Sequence, residues 1–159
     1  CRQHSPDLVD RIEKSDDDEY LFDRHSIDEY IEEAQSARVE LPSGGWVMFE
    51  TTQAMTTIDV NSGNHDAPAR AINLEATQII ARQIRLRGLG GLIAIDFIDM
   101  TESLDGEAVL QALDGGFTGD KQPVRIGPMS EFSVVEMTRR RGGMTLAQSL
   151  QQIHLAENE

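Results

Sequence analysis

Apolar residues recur with helical spacing in the middle of the chain. Between positions 69 and 87 they stand three or four residues apart, at Ile72, Ala76, Ile79, Ile80 and Ile84. This spacing predicts an amphipathic helix over 69–87, and the glycines at 88, 90 and 91 predict its end. Further helices are predicted over 101–114, over 145–156 and over about 27–37, where Ser26 and Glu29 form a capping-box pattern.

The segments between these helices have the composition of β-strands. Residues 46–60, after the turn Pro42–Gly45, are rich in Val, Phe, Thr and Ile and predict two strands or a long hairpin. Residues 92–98 are almost uniformly apolar, which is typical of a strand buried on both faces of a sheet. Shorter strands are predicted over 123–127 and 132–138. Because strands alternate with helices, the chain is predicted to be an α/β protein, a layered sheet with flanking helices.

Two carboxylates interrupt the predicted strands. Asp59 lies between Ile58 and Val60, and Asp96 interrupts the apolar run from Ile93 to Phe97. Because side chains alternate between the faces of a strand, Asp59 faces away from its two apolar neighbours and shares its face with Asn61. A buried, ionised carboxylate is costly without a partner. A divalent metal ion, a paired arginine or the donors of a turn at the strand end would each satisfy it, and the residues alone leave these alternatives open.

The chain is acidic, and its charge is unevenly distributed. Its net charge is −14: residues 1–40 hold 13 acidic and 5 basic side chains, a net of −8, and residues 41–159 hold 15 and 9, a net of −6. This balance opposes tight, sequence-independent RNA binding, because Lys and Arg supply most of the affinity for phosphates. The acidic run at 16–19 indicates that residues 1–20 are a solvated lead-in, followed by a single domain over 21–159.

The sequence shows no targeting or membrane-spanning pattern. No apolar run is long enough to cross a bilayer, and no basic start followed by an apolar stretch indicates a signal peptide. The single cysteine, Cys1, excludes an internal disulfide and a Cys-x-x-Cys metal clip. We therefore expect a soluble, cytoplasmic protein.

Several sequence blocks occur in an order that is typical of one family. They are Val39–Gly45, Thr57–Gly63 (Thr-Ile-Asp-Val-Asn-Ser-Gly), Asn73–Ala76, Ala81–Gly91, Leu92–Met100 and Val135–Arg141. Together these blocks resemble the ribonuclease E/G family and span roughly residues 21–141, about three quarters of the chain. Each block alone is a weak signal, whereas the whole set in order is highly specific.

The resemblance implies a DNase I-like subdomain of an endoribonuclease that cleaves single-stranded RNA in RNA processing or decay. It implies Mg²⁺ as the cofactor, with Mn²⁺ as a substitute, held by Asp59 and Asp96. Asn61 would orient groups beside the metal and the scissile phosphate. A water activated at the metal would then attack in line and leave a 5′-phosphate and a 3′-hydroxyl. The candidate catalytic residues are therefore Asp59, Asn61 and Asp96.

Other polar residues near these motifs have simpler interpretations. Asp99 would face opposite to Asp96 in a strand, and its spacing from Glu102 predicts a helix cap. His65 follows the first metal motif and is expected to be solvent-exposed rather than catalytic. The remaining histidines show no metal-ligand spacing; they are His4, His25 and His154.

The basic residues are candidates for contacts with the RNA backbone. Arg139 and Arg141 would share one face of an extended segment, and with Lys121 they are the predicted RNA-binding residues. Arg82 and Arg85 lie away from the apolar face of their predicted helix, where exposure to solvent is expected.

The sequence also departs from the family pattern. The loop between Gly63 and Asn73 is shorter than usual, and the chain contains no S1-like segment, no segment that senses an RNA 5′ end and no paired cysteines. We therefore predict no zinc and no zinc-linked assembly, which leaves another kind of homo-oligomer open. The alternative function is a non-catalytic domain that retains the nuclease fold and binds RNA or protein.

Overall fold

The computed structural model describes residues 6–11, 20–63, 67–100 and 103–156. The chain forms two compact units, Cys1–Glu32 and Glu33–Glu159. The first unit contains a short 3-10 helix at Pro6–Arg11 and helix α1 at Leu21–Arg24, and helix α2 (Ile27–Gln35) begins in it. Most of the predicted lead-in over 1–20 lies outside the described residues, so the predicted boundary between residues 20 and 21 stays a prediction.

Helix α2 begins where the sequence predicts but without the expected cap geometry. The Ser26 carbonyl accepts the first helical hydrogen bond from the Tyr30 N–H, at 3.2 Å. However, Ser26 has a φ of +49°, whereas a capping serine has extended backbone angles. The predicted capping box is therefore wrong in its geometry, and the helix ends at Gln35, two residues before the predicted end.

A six-stranded sheet forms the centre of the second unit. Its strands are β1 (Arg38–Glu40), β2 (Trp46–Thr51), β3 (Thr56–Asn61), β4 (Gly91–Asp96), β5 (Val124–Met129) and β6 (Val134–Arg139). They lie in the order β1-β2-β3-β4-β6-β5. Strands β3 and β4 are parallel, and all other neighbours are antiparallel. Helix α3 (Ala69–Leu86) makes the crossover that a parallel pair requires. This architecture confirms the predicted α/β fold.

Most predicted strands correspond to observed ones. Strands β2 and β3 form the hairpin predicted within 46–60, and β5 and β6 correspond to the predictions over 123–127 and 132–138. Strand β4 ends at Asp96 rather than at residue 98. The three-residue strand β1 was not predicted, because so short a segment carries no readable alternation.

Helix α3 packs its apolar face into the core. Four residues of its predicted stripe are buried, namely Ile72, Ala76, Ile80 and Ile84. They share one cluster with Ile93 and Ile95 of the central strand β4, and each buried isoleucine contributes about 1.5–3 kcal/mol. The helix ends as predicted, because Gly88 takes a φ of +66° and the next N–H bonds back to the Ile84 carbonyl at 3.0 Å.

Two further helices complete the second unit. Helix α4 (Ser103–Gly116) packs against α3; it corresponds to the prediction over 101–114, of which residues 101 and 102 lie outside the described part of the chain. Helix α5 (Leu146–Ala156) corresponds to the prediction over 145–156 and buries none of its residues. Within the described ranges, no helix combines the length and the apolar character that crossing a bilayer requires.

Candidate functional site

The parallel pairing of β3 and β4 brings the two strand aspartates together. Asp59 is the register partner of Asp96, and neighbouring strands lie about 4.8 Å apart. The residues that flank Asp59, Ile58 and Val60, are buried, and so are Ile95 and Phe97 beside Asp96. Both carboxylates therefore project from the opposite, exposed face of the sheet, where they are nearest neighbours.

Asn61 lies on the same face as Asp59, two residues further along β3. Its side-chain Nδ2 donates a hydrogen bond to Oδ2 of Asp59, at 2.9 Å. This bond occupies one carboxylate oxygen and restricts the rotation of the Asp59 side chain. The structure thus brings the three candidate catalytic residues, Asp59, Asn61 and Asp96, into one group.

The electrostatics of this group favour a cation. Asp96 reaches solvent, yet neighbouring atoms displace part of its water. This partial desolvation, followed by repulsion from Asp59 and then from Asp99, raises the pKa of the Asp96 carboxyl above its ordinary value. Adjacent like charges of this kind are relieved by a bound cation, which would favour the ionised form of both carboxylates.

An open cavity of about 670 Å³ surrounds the pair. Its walls come from the end of β3, from the segment that follows β4 and from the turn between β5 and β6. Among the described residues the lining includes four acidic residues, namely Asp59, Asp96, Asp99 and Glu131, and no Lys or Arg. It also includes two aromatic residues, the buried Phe97 and the exposed Phe132. The sequence reasoning missed Glu131 and Phe132, because Phe132 was assigned to a strand and Glu131 belongs to no motif.

Asp99 lies on the wall of this cavity, although its spacing predicted a helix cap. Its side chain is exposed and close enough to raise the pKa of Asp96. Glu102, the second member of the predicted cap, lies outside the described residues, so the cap stays a prediction. His4 and His65 lie outside them as well.

A buried asparagine holds the segment that follows β4. The Nδ2 of Asn73 donates to the Ile98 carbonyl at 2.8 Å, and the Ile98 N–H donates to Asn73 Oδ1 at 3.1 Å. Asn73 is fully buried on helix α3. Its position on the helix face that carries Ala76 and Ile80 was a sequence signal for this role, because a polar residue on an apolar face needs an internal partner.

The carboxylates of the site are compatible with a magnesium ion that has few protein ligands. Among the described residues, no three His, Cys, Asp or Glu side chains form a cluster suited to a metal ion. Asp59 and Asp96 therefore provide two carboxylates at most from the strands. Mg²⁺ is usually held by one or two carboxylates and keeps several waters and substrate oxygens as its other ligands.

The structure corrects the prediction for Arg139. Its guanidinium is buried: Nε and Nη2 donate to the Asp120 carboxylate at 2.8 and 3.0 Å, and Nη1 donates to the Leu89 carbonyl at 2.7 Å. These bonds lower the pKa of Asp120 below its ordinary value, the side-chain bond from Arg139 being the largest cause. Arg139 therefore has a structural role, because its donors are already bonded inside the protein.

The other predicted RNA-binding residues also lie away from the carboxylates. Arg139 is the register partner of Gly91, whereas Asp96 lies five residues further along β4, a separation of roughly 17 Å along the strand. Arg141 donates to the Gly90 carbonyl at 3.4 Å, and Lys121 follows Asp120 in the chain, so both lie near that far end of β4. The structure does not group them with Asp59 and Asp96.

The fold and the site define a mixed α/β domain that presents two register-paired aspartates at the ends of parallel strands. Residues 1–142 match the model of the ribonuclease E/G family. The chain therefore belongs to the ribonuclease E/G family.

Curated relatives agree with this assignment. The chain is 39% identical over 145 residues to ribonuclease G of Salmonella typhimurium (strain SL1344), which covers 87% of the chain and 30% of the relative. It is 38% identical over 145 residues to ribonuclease G of Escherichia coli (strain K12), with the same coverage. It is also 39% identical over 160 residues to ribonuclease E of Escherichia coli (strain K12), over 94% of the chain and 15% of the relative. The chain thus spans less than a third of the length of these relatives.

Proposed function

We propose that this chain carries the metal-binding part of an endoribonuclease site that hydrolyses single-stranded RNA in the presence of Mg²⁺. The observation that supports this most directly is the register pairing of Asp59 with Asp96, with Asn61 bonded to the first of them. The names of the relatives, ribonuclease G and ribonuclease E, support RNA as the substrate. The lone cysteine is compatible with a reducing compartment, and we propose a cytoplasmic location.

In this proposal, each residue of the group has a separate role. Asp59 and Asp96 hold Mg²⁺, for which Mn²⁺ substitutes, and both must be ionised to do so. Asn61 fixes the rotation of the Asp59 carboxylate through its 2.9 Å hydrogen bond. A divalent ion bound here supplies Lewis-acid chemistry to a phosphate and to an attacking water.

Charge limits what these residues can do for a polyanion. The described lining of the cavity offers four carboxylates and no basic side chain, so its own potential repels phosphate. A metal ion bound here would therefore contribute to substrate binding as well as to chemistry. We expect cleavage to disappear when the metal is chelated, and binding of RNA to weaken at the same time.

The test is cleavage of an end-labelled, unstructured RNA by the wild type and by three variants. Asp59→Asn and Asp96→Asn keep the side-chain size and remove the charge, so each should reduce cleavage at least about 100-fold, an effect typical of groups that act in a transition state. Asp114→Asn is the matched control, because Asp114 is exposed on helix α4 and does not line the cavity. Undiminished cleavage by Asp96→Asn would contradict the proposal.

The alternative is a domain that keeps the nuclease fold without turnover and binds RNA or protein. The described cavity lining has no basic side chain that could stabilise charge on a reacting phosphate, which favours a domain without turnover. Absence of cleavage with Mg²⁺ and with Mn²⁺, in a protein that unfolds cooperatively and binds RNA, would support this alternative.

A further inference from the structure

Phe132 is an exposed aromatic side chain at the edge of the carboxylate cavity. It lies in the turn between β5 and β6 and is 78% exposed, although phenylalanine is normally buried. Its side chain lines the same cavity as Asp59 and Asp96. An exposed ring at this position has no role in the core and is accessible to a ligand in the cavity.

The turn that carries Phe132 is held firmly by hydrogen bonds. The Ser130 Oγ accepts from the N–H groups of Phe132 and Val134, at 3.3 and 3.2 Å. The Ser133 N–H donates to the Ser130 carbonyl at 3.1 Å, and the Ser130 N–H donates to the Val134 carbonyl at 2.9 Å. The backbone beside the exposed ring is therefore fixed before any ligand binds, which lowers the entropy lost on binding.

A further bond connects this turn to the aspartate strand. The Phe97 N–H donates to the Ser133 carbonyl at 3.2 Å, and Phe97 directly follows Asp96. The position of Phe132 is thus set relative to the carboxylate pair by one continuous set of backbone bonds. A ligand that contacts both groups meets a preformed arrangement.

The chemistry of the cavity selects the part of an RNA strand that Phe132 would contact. In the part of the cavity beyond Asp59 and Asp96, the acidic lining repels phosphates. A nucleobase is neutral and is not repelled. Unpaired bases stack on aromatic side chains without sequence preference, because every base has a π-face. A duplex would not expose its base faces to such a ring.

We propose that Phe132 is a stacking platform for one unpaired base of the RNA strand, next to the phosphate that lies at Asp59 and Asp96. This inference rests on the proposed function, because it takes single-stranded RNA as the ligand and places a phosphate at Asp59 and Asp96. Phe132 is a substrate-positioning residue here, and it selects unpaired over paired RNA.

The test measures binding in a protein that cannot turn over its ligand. In the Asp59→Asn/Asp96→Asn background, which also removes two of the four acidic charges of the cavity, a short single-stranded RNA that carries one 2-aminopurine is titrated at low salt. Phe132→Ala and Phe132→Leu should each weaken binding about 5- to 150-fold and abolish the fluorescence change of the stacked base. Phe132→Trp should retain both, because indole stacks at least as well. Leu92→Ala, an exposed apolar residue at the other end of β4, should have no effect.

An abasic substitution in the RNA identifies the contact. When an abasic position replaces the stacked base of this RNA, the protein with Phe132 and the protein with Phe132→Ala should bind the RNA equally well. Full affinity of Phe132→Leu, an equal loss with the abasic RNA, or no binding of any RNA would overturn the inference. Unfolding temperatures should be the same for all four position-132 proteins, because the ring is exposed.

The two proposals fail separately. If Phe132→Ala loses base-dependent binding but the wild type cleaves no RNA, the nuclease proposal fails and the stacking platform stands. If cleavage requires Asp96 and Phe132→Ala binds and cleaves like the wild type, the stacking platform fails and the nuclease proposal stands.

Discussion

The side-chain amide of Asn73 is bonded in both directions to the backbone of Ile98. Its Nδ2 donates to the Ile98 carbonyl at 2.8 Å, and its Oδ1 accepts from the Ile98 N–H at 3.1 Å. Asn73 thereby replaces the strand partner that this segment loses when β4 ends at Asp96. The consequence is a fixed path for the chain between Asp96 and Asp99, two of the carboxylates that line the cavity.

Asn73→Ala should therefore destabilise the protein and loosen the site together. Two backbone groups of Ile98 would lose their partners, and each unsatisfied buried group costs about 1–3 kcal/mol. We expect the free energy of unfolding in urea to fall by about 2–4 kcal/mol, and the stabilisation by Mg²⁺ to decrease. Gln78→Ala, at an exposed position of the same helix, is the control and should change stability by less than about 0.5 kcal/mol. A loss no larger at Asn73 than at Gln78 would contradict this role.

Metal binding should be visible as a change in stability even without turnover. A ligand that binds only the folded state stabilises it by about 2.7 kcal/mol at 100 times its dissociation constant. We expect Mg²⁺ to raise the unfolding temperature of the wild type and of the control Asp114→Asn, and EDTA to reverse the increase. Asp59→Ala and Asp96→Ala should each remove the response. An undiminished response in both alanine variants would mean that the ion binds elsewhere.

The sequence predicted the positions of Asp59, Asn61 and Asp96 in the strands because period-two alternation is a local property. That Asp59 and Asp96 are register partners depends on the parallel pairing of β3 and β4, which the crossover of α3 determines. Alternation alone does not predict that the two aspartates are neighbours, whereas the family resemblance implies that they hold one metal ion together.

Two residues differ from their predictions because of hydrogen bonds made by side chains. Arg139 belongs to an arginine-rich segment that suggested RNA, but Asp120, 19 residues earlier, binds its guanidinium inside the protein. Phe132 begins the strand predicted over 132–138, but the Ser130 side chain stabilises a turn at this position. In both cases a side-chain hydrogen bond decides the outcome, and neither the clustering of arginines nor strand propensity predicts which hydrogen bonds form.

The Asp120–Arg139 pair should make stability depend on pH in the acid range. The bond from Arg139 lowers the pKa of Asp120 in the folded state, while the unfolded value is about 3.9. The stabilisation is therefore complete above the unfolded value and is lost as the pH falls through the lower, folded value. At neutral pH, Asp120→Asn should cost about 3–5 kcal/mol, because it leaves the Arg139 charge buried and unpaired. The difference from the wild type should shrink below about pH 4, as Asp120 becomes protonated in the wild type.

An exposed ion pair supplies the control for this measurement. Arg38 and Glu40 are in contact at 2.7 Å, close to the 2.8 Å of Arg139 and Asp120, but their side chains are 46% and 64% exposed, against 8% and 5%. Glu40→Gln should change the free energy of unfolding by less than about 1 kcal/mol. Equal effects at both pairs, measured by urea unfolding across the acid range, would show that burial does not govern the Asp120 bond.

Gly45 should be essential for the position of Asn61. A methyl group at residue 45 would collide with the backbone carbonyl of Asn61, the residue that holds the Asp59 carboxylate. Since the Asn61 carbonyl belongs to the paired backbone of β3 and cannot move away easily, Gly45→Ala should cost about 1–3 kcal/mol and weaken the stabilisation by Mg²⁺. Gly115→Ala offers a matched control, because it lies in helix α4 with no atom near the added methyl, and it should stabilise the protein by about 0.5–1 kcal/mol. Urea unfolding with and without Mg²⁺ measures both effects. If Gly45→Ala retains full stability and the full metal response, the turn before β2 does not position Asn61.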